Sequence, residues 1–237
     1  MIDNDIRKKF LKISTQVIRG TNEFIKNKPL IINSSHPISH KTVSEIGGRI
    51  LEDFISNAIK ESLKGQEEYQ LDNLSSRSLG DFCIKNKNSN FGNFYFDVKS
   101  QHLSIRQKTY EYYKENGIDQ KKPGESHPNL ISYQKALEFY DDEGKSKDDI
   151  GLIFVKYDPE IQGKNINFNI LPFDPTSIIL LRDIDDGNLS YGNLGKGQIQ
   201  LSRVNNIKMR ERSKPEFIDY LKFLKNRPRQ VRKTSRV

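Results

Sequence analysis

The chain has 237 residues, with 39 Lys and Arg against 31 Asp and Glu, and a net charge of +8. Mean hydropathy is −0.74, yet thirteen Phe, ten Tyr and many Ile and Leu are enough apolar material for the core of one large domain. No run approaches the ~20 apolar residues that span a bilayer, and Cys83 alone excludes an internal disulfide or a multi-cysteine zinc site. With no secretory pattern at its start, the chain is expected in a reducing cytoplasm. The basic excess favours a polyanionic partner, of which nucleic acid is the commonest.

In chain order, Ile6, Phe10, Ile13 and Val17 recur at helical spacing while Arg7, Lys8, Lys9 and Lys12 fall on the other side, so residues 2–19 are read as an amphipathic helix. Residues 27–43, with two Pro and two His, read as a loop. Thr42 or Ser44 is placed to cap a second helix running to about Lys64, with Ile46, Ile50, Leu51, Phe54, Ile55, Ala58, Ile59 and Leu63 as its apolar face.

From Leu79 the period becomes extended. Asp81–Ile84 and Phe94–Ser100 read as a hairpin around a Gly/Asn-rich turn. Residues 101–128 are polar and basic, and Leu130–Tyr140 reads as a helix. Gly151–Tyr157 is an apolar run suited to a central strand, and Asn165–Leu171 and Ser177–Leu181 look extended. A Gly/Asn-rich segment, 186–197, leads into a strand over Gly197–Val204, and Phe217–Leu224 reads as a closing helix before a basic tail. No internal repeat is present. This order predicts a mixed α/β fold, a central mixed sheet flanked by helices.

The chemistry concentrates in Phe94-Tyr95-Phe96-Asp97-Val98-Lys99-Ser100. Strand alternation puts Phe94, Phe96 and Val98 on one face, where they supply core, and Tyr95, Asp97 and Lys99 on the other. A carboxylate and an ammonium then stand about 6–7 Å apart along the strand. Asp81, sixteen residues before Asp97, brings a second carboxylate to the same end of the hairpin. Two carboxylates suit Mg²⁺, which keeps several waters for a phosphate to displace, and the lysine can hold the attacking water.

Asp81, fifteen intervening residues and Asp97-Val98-Lys99 resemble the PD-(D/E)xK nuclease signature, with Gly80 where its proline would stand. Gly48-Arg49-Ile50-Leu51-Glu52 is similar to the helix that such nucleases place beside the site; Glu52, or Glu45 seven residues earlier, is its acidic residue. His127-Pro128-Asn129-Leu130-Ile131-Ser132-Tyr133 resembles a helix start in blunt-cutting, palindrome-specific type II restriction endonucleases, with Asn129 capping the helix and meeting a phosphate. Gln198-Ile199-Gln200-Leu201 and Ser213–Leu224 resemble the last strand and closing helix of that group.

The resemblance implies an Mg²⁺-dependent homodimer that cuts double-stranded DNA at a short palindrome, leaving 5′-phosphate and 3′-hydroxyl ends. In it Asp81 and Asp97 hold the metal, Lys99 orients the water, and Glu52 assists. Ser100, Gln101, His102 and Ser104 lie along DNA, and the segment leading to Gln198 and Gln200 is the candidate for base readout. A repair or recombination nuclease with the same core, or a DNA-binding module that does not cleave, are the other readings. The expected organisation is a single domain: residues 1–44 an N-terminal helix and loop with a possible role in dimerisation, 45–224 the catalytic and DNA-binding core, and 225–237 a basic tail. Gly144-Lys145-Ser146 lacks the earlier glycine and preceding strand of a phosphate-binding loop. His36, His40, His102 and His127 lack metal-ligand spacing, and Cys83 is expected in the core.

Overall fold

In the computed structural model, which describes residues 2–36, 40–75, 79–87, 92–102, 111, 114, 115, 117, 129–191, 197–201 and 207–226, the sequence periods resolve into helices and strands. The first half gives α1 (Ile2–Asn27), β1 (Leu30–Asn33), α2 (His40–Ser62), β2 (Tyr69–Asn73), β3 (Phe82–Asn86) and β4 (Phe94–His102). The second gives β5 (Asn129–Ser132), α3 (Tyr133–Asp141), β6 (Asp149–Gln162), β7 (Asn165–Ile170), β8 (Ile178–Leu180), β9 (Leu189–Tyr191), β10 (Gln198–Leu201) and α4 (Lys214–Asn226).

The architecture is mixed α/β, as expected. A seven-stranded sheet has the order β1-β7-β6-β4-β3-β2, with β8 also joined to β6. Among the described residues of this sheet only β4 and β6 pair in parallel, from Phe94 opposite Asp149 to His102 opposite Tyr157; the other pairs are antiparallel. A second antiparallel sheet has the order β5-β10-β9.

Both faces of the central strands are buried. Phe94, Phe96 and Val98 of β4 and Ile153, Val155 and Tyr157 of β6 join the apolar stripes of α1 and α2. On the other face Ile150, Leu152 and Phe154 pack with Leu130, Ala136, Phe139, Ile199, Leu201, Phe217 and Leu221, and Tyr95 packs against them. The apolar run of β6 is continuous because each face has its own core. Phe10 of α1 lies over β4, its ring 5.5 Å from Phe94 and 6.0 Å from Phe96. Gly151 of β6 leaves room for this stack: a Cβ there would lie 2.3 Å from the Phe96 ring and 3.2 Å from that of Phe10.

Several expectations need correction. The N-terminal helix continues to Asn27, and the loop over 27–43 contains strand β1 and the start of α2. Thr42 and Ser44 therefore lie inside α2, past its first residue, instead of at its start. Asn129 is strand, not helix start: α3 begins at Tyr133, with Ser132 as a cap residue that makes no side-chain cap bond. Pairing of β5 with β10 satisfies that backbone instead. The strand face that carries Asp97 lies beneath the second core. Strand β10 is described to Leu201; 202–206 lie outside the described residues, as do most of the basic stretch 103–128, including Ser104, and the tail from 227. Cys83 is buried as expected, and burial pushes its thiol up to about 12.

A buried polar network ties the N-terminus to the second core. Arg182, fully buried, donates through Nε to Asp149 Oδ2 at 2.7 Å and pairs with Asp3 at 3.0 Å. Asp149 also accepts from Tyr140 Oη at 2.9 Å. Arg7 grips Asp183 with two bonds of 2.7 and 3.1 Å, while Arg212 reaches the Ile184 carbonyl and Lys214 the carbonyls of Lys145 and Asp148. Among the described residues no helix is long and apolar enough to cross a membrane.

Gly151→Ala is expected to lower the free energy of unfolding in urea by ~1–3 kcal/mol, because the added methyl displaces Phe96 and Phe10. Equal stability of variant and parent would contradict the packing of those rings over this backbone.

Candidate active site

The site forms where the β3–β4 hairpin meets α2. Phe82 pairs with Phe96, so extending the register by one position sets Asp81 opposite Asp97. Asp81 is fastened there by its backbone and its side chain. Its N–H donates to the Phe96 carbonyl at 2.8 Å, its carbonyl accepts from Leu74 N–H at 2.9 Å, and its Oδ2 accepts from Val98 N–H at 2.7 Å. Oδ1 has no partner among the described residues.

Gly80 explains the departure from the nuclease signature. A Cβ at this position would stand 2.5 Å from the Phe96 carbonyl oxygen and 2.9 Å from its carbon. Neither atom can move without breaking the hairpin, so the backbone approach that delivers Asp81 leaves no room for a proline ring.

Asp97 is 8% exposed. Its Oδ2 lies 2.7 Å from Lys99 Nζ. Burial pushes its carboxyl up to about 7; Lys99 opposes the shift, and Asp81 and Glu52 add to it. Glu52, on α2, is also raised, first by burial and then by Asp81, with Lys99, Asp53 and Arg49 as its other charged neighbours. These mutual effects put Glu52, Asp81, Asp97 and Lys99 in one electrostatic neighbourhood. Helix α2 packs against β4 at this point, with Gly48, one turn before Glu52, next to Ser100: a Cβ there would lie in ordinary contact with Ser100 Oγ at 3.4 Å. Glu45 lies on α2, with its side chain outside the described residues.

Three carboxylates and one ammonium share a partly desolvated pocket, which leaves an excess of negative charge. A divalent cation suits such a donor set, with Asp81 and Asp97 as the carboxylates on offer. Among the described residues no three His, Cys, Asp or Glu side chains form a ready-made metal cage. Mg²⁺ does not require one, since it commonly takes one or two carboxylates and completes its shell with water and phosphate.

The DNA-facing candidates divide. Ser100 turns toward α2, while Gln101 lies on the face of Asp97 and Lys99. The His102 side chain lies outside the described residues. Asn129, Gln198 and Gln200 are brought together on the small sheet. Gln200 pairs with Asn129 across strands, its Nε2 donating to Asn129 Oδ1 at 2.7 Å, and Gln198 pairs with Ser132. Ile199 and Leu201 point the other way, into the core. Ser190, opposite Gln200 on β9, extends this row of neutral polar groups and was not anticipated from sequence. Gly144-Lys145-Ser146 forms a single tight turn whose Gly144 N–H donates to Asp142 Oδ1 at 2.9 Å, so it offers no phosphate cradle.

The chain matches no protein-family model and no curated protein.

Because the folded chain binds the Asp97 proton more tightly than the unfolded chain does, this group contributes stability in full below the ordinary aspartate value of 3.8. That contribution is lost as the pH rises through about 7. In metal-free buffer, wild-type stability to urea should therefore fall relative to Asp97→Asn as the pH goes from about 5 to about 8. Parallel pH profiles for the two proteins would contradict the burial assigned to this carboxyl.

Proposed function

We propose that the protein is an Mg²⁺-dependent endonuclease of the type II restriction kind, hydrolysing phosphodiester bonds of double-stranded DNA at a short palindrome. The observation that carries this reading is the convergence of Glu52, Asp81, Asp97 and Lys99 at the end of the β3–β4 hairpin. The neutral amide face formed by Asn129, Gln198 and Gln200 supports specific recognition, because such groups present a donor and an acceptor to base edges. The resemblance of the Asp81…Asp97-Val98-Lys99 spacing to the PD-(D/E)xK signature supports it independently, as does the net charge of +8.

In this reading Asp81 and Asp97 would hold Mg²⁺, and the ion would supply Lewis-acid stabilisation of the phosphate charge. Lys99 orients the attacking water in line with the scissile bond and offsets charge that grows on the phosphate oxygens. The water oxygen bonds to phosphorus, the bond from phosphorus to the 3′ oxygen breaks, and that oxygen takes up a proton from solvent water. The products are a 5′-phosphate and a 3′-hydroxyl. Glu52, kept more basic than an ordinary glutamate by burial and by Asp81, is placed to accept the proton the water gives up. A pair of such centres in a homodimer cuts both strands of a palindrome.

With Mg²⁺ and phage DNA the protein should produce discrete fragments. Asp97→Ala and Lys99→Ala should each lower the cleavage rate by at least ~10²–10³-fold, while binding of the same DNA without metal stays within a few-fold of wild type. Intact DNA with wild-type protein, or near-wild-type cutting by either variant, would overturn the reading. Cutting only at nicks, flaps or junctions would assign the same centre to a repair or recombination nuclease.

A further inference from the structure

Strand β8 pairs with β6 along one edge, Leu180 opposite Gly151 and Ile178 opposite Ile153. Its other edge has no strand beside it among the described residues. The antiparallel ladder fixes what that edge presents. Phe154 N–H donates to the Ser177 carbonyl at 2.8 Å, so Phe154–Ser177 and, two residues on, Leu152–Ile179 are the hydrogen-bonded pairs. Ile178 and Leu180 alternate with them, and their N–H groups, with the Ile178 carbonyl, point away from β6. These three groups have no partner among the described residues, although both side chains are buried. Buried backbone groups left unpaired are costly, and a sheet edge that offers them is a template for another extended chain.

That edge forms the floor of a cavity of about 430 Å³, within the range of pockets that hold small ligands or side chains. Phe10 and Leu11 of α1 wall it on the side of the first core, and Ile207 and Met209 on the side of the second. The walls stand above the floor: Leu11 is 63% exposed and Met209 49%. A second copy does not fit, because its own β8 lies equally deep between the same walls and two recessed edges cannot meet. A single extended chain can enter. The charges at the mouth also select. Arg7 and Asp183 pair with each other, and the neighbouring Arg210 and Arg212 pair with Asp186. Exposed Glu211 therefore sets the sign of the mouth among the described residues, and a basic group complements it.

We infer that this slot binds an extended peptide of a partner protein, which adds to β8 as a further strand of the sheet. Its main chain pairs with the N–H groups of Ile178 and Leu180 and with the Ile178 carbonyl. Side chains at alternate positions pack on the two apolar walls, and a Lys or Arg beside the apolar stretch meets Glu211. The slot shares no residue with the carboxylate centre, and the assignment does not depend on the nuclease reading.

The test selects binders to the full chain from a library of short linear peptides and uses the tightest as probe. Its sequence should alternate apolar residues next to a Lys or Arg. Methylating its backbone nitrogens at every second position should weaken binding by at least ~10-fold, and methylating the intervening ones should leave it within a few-fold. Hydrogen exchange of the Ile178 and Leu180 amides, followed by NMR, should slow when the peptide is bound. Leu11→Glu and Met209→Glu, both at exposed positions, should each weaken the peptide by ~10-fold or more. Failure to select any peptide would overturn the assignment. So would binding indifferent to N-methylation or to both Glu variants, or exchange at the two amides that the peptide leaves unchanged. Slowing that grows with protein concentration alone would give the edge to a second copy and overturn it as well.

Discussion

The burial of the Asp97 carboxylate is the constraint around which the rest of the structure is arranged. A charge taken out of water requires a counter-charge, and Lys99 at 2.7 Å supplies only one against three neighbouring acids. Holding those acids together is costly, so their positions must be imposed by the backbone. Asp81 is imposed by three hydrogen bonds to the chain around it and by the missing side chain of Gly80. Glu52 is imposed by α2, whose apolar stripe packs against β4. The strand that bears Asp97 is itself clamped between two cores, one on each face. The fold acts as a rigid frame for a cluster that would otherwise fly apart.

Much of that frame was legible in the sequence. Alternation in 94–100 sorts the core face from the chemical face, and the Asp81–Ile84 stretch pairs with it as expected. What was not legible follows from distance and from shortness. Strands β1, β2 and β9 have three to five residues each, with little room for a period to show. Asn129 carries a cap residue's chemistry, but pairing with Gln200, far along the chain, decides its conformation. The second core over Asp97 is built from α3, β10 and α4, and no local pattern reveals that these return to cover it.

The basic excess also has a finer meaning. Arg7, Arg182, Arg212 and Lys214 are spent inside the molecule on Asp3, Asp149, Asp183, Asp186 and backbone carbonyls. Burial lowers the Lys214 pKa, which marks it as a structural group rather than part of an anion-steering surface. Those four cations are therefore structural, and the net charge of +8 overstates what the surface offers a polyanion.

A cluster assembled against its own repulsion should gain a divalent cation readily and release a proton in doing so. Titrating Mg²⁺ into wild type and Asp97→Asn by calorimetry, in buffers of differing ionisation enthalpy, measures both quantities at once. Wild type should bind more tightly than the variant and release protons near pH 6, with release fading above about pH 8 as Asp97 is already ionised. Equal Mg²⁺ affinity in the two proteins would contradict the assignment of Asp97 as the centre of the site.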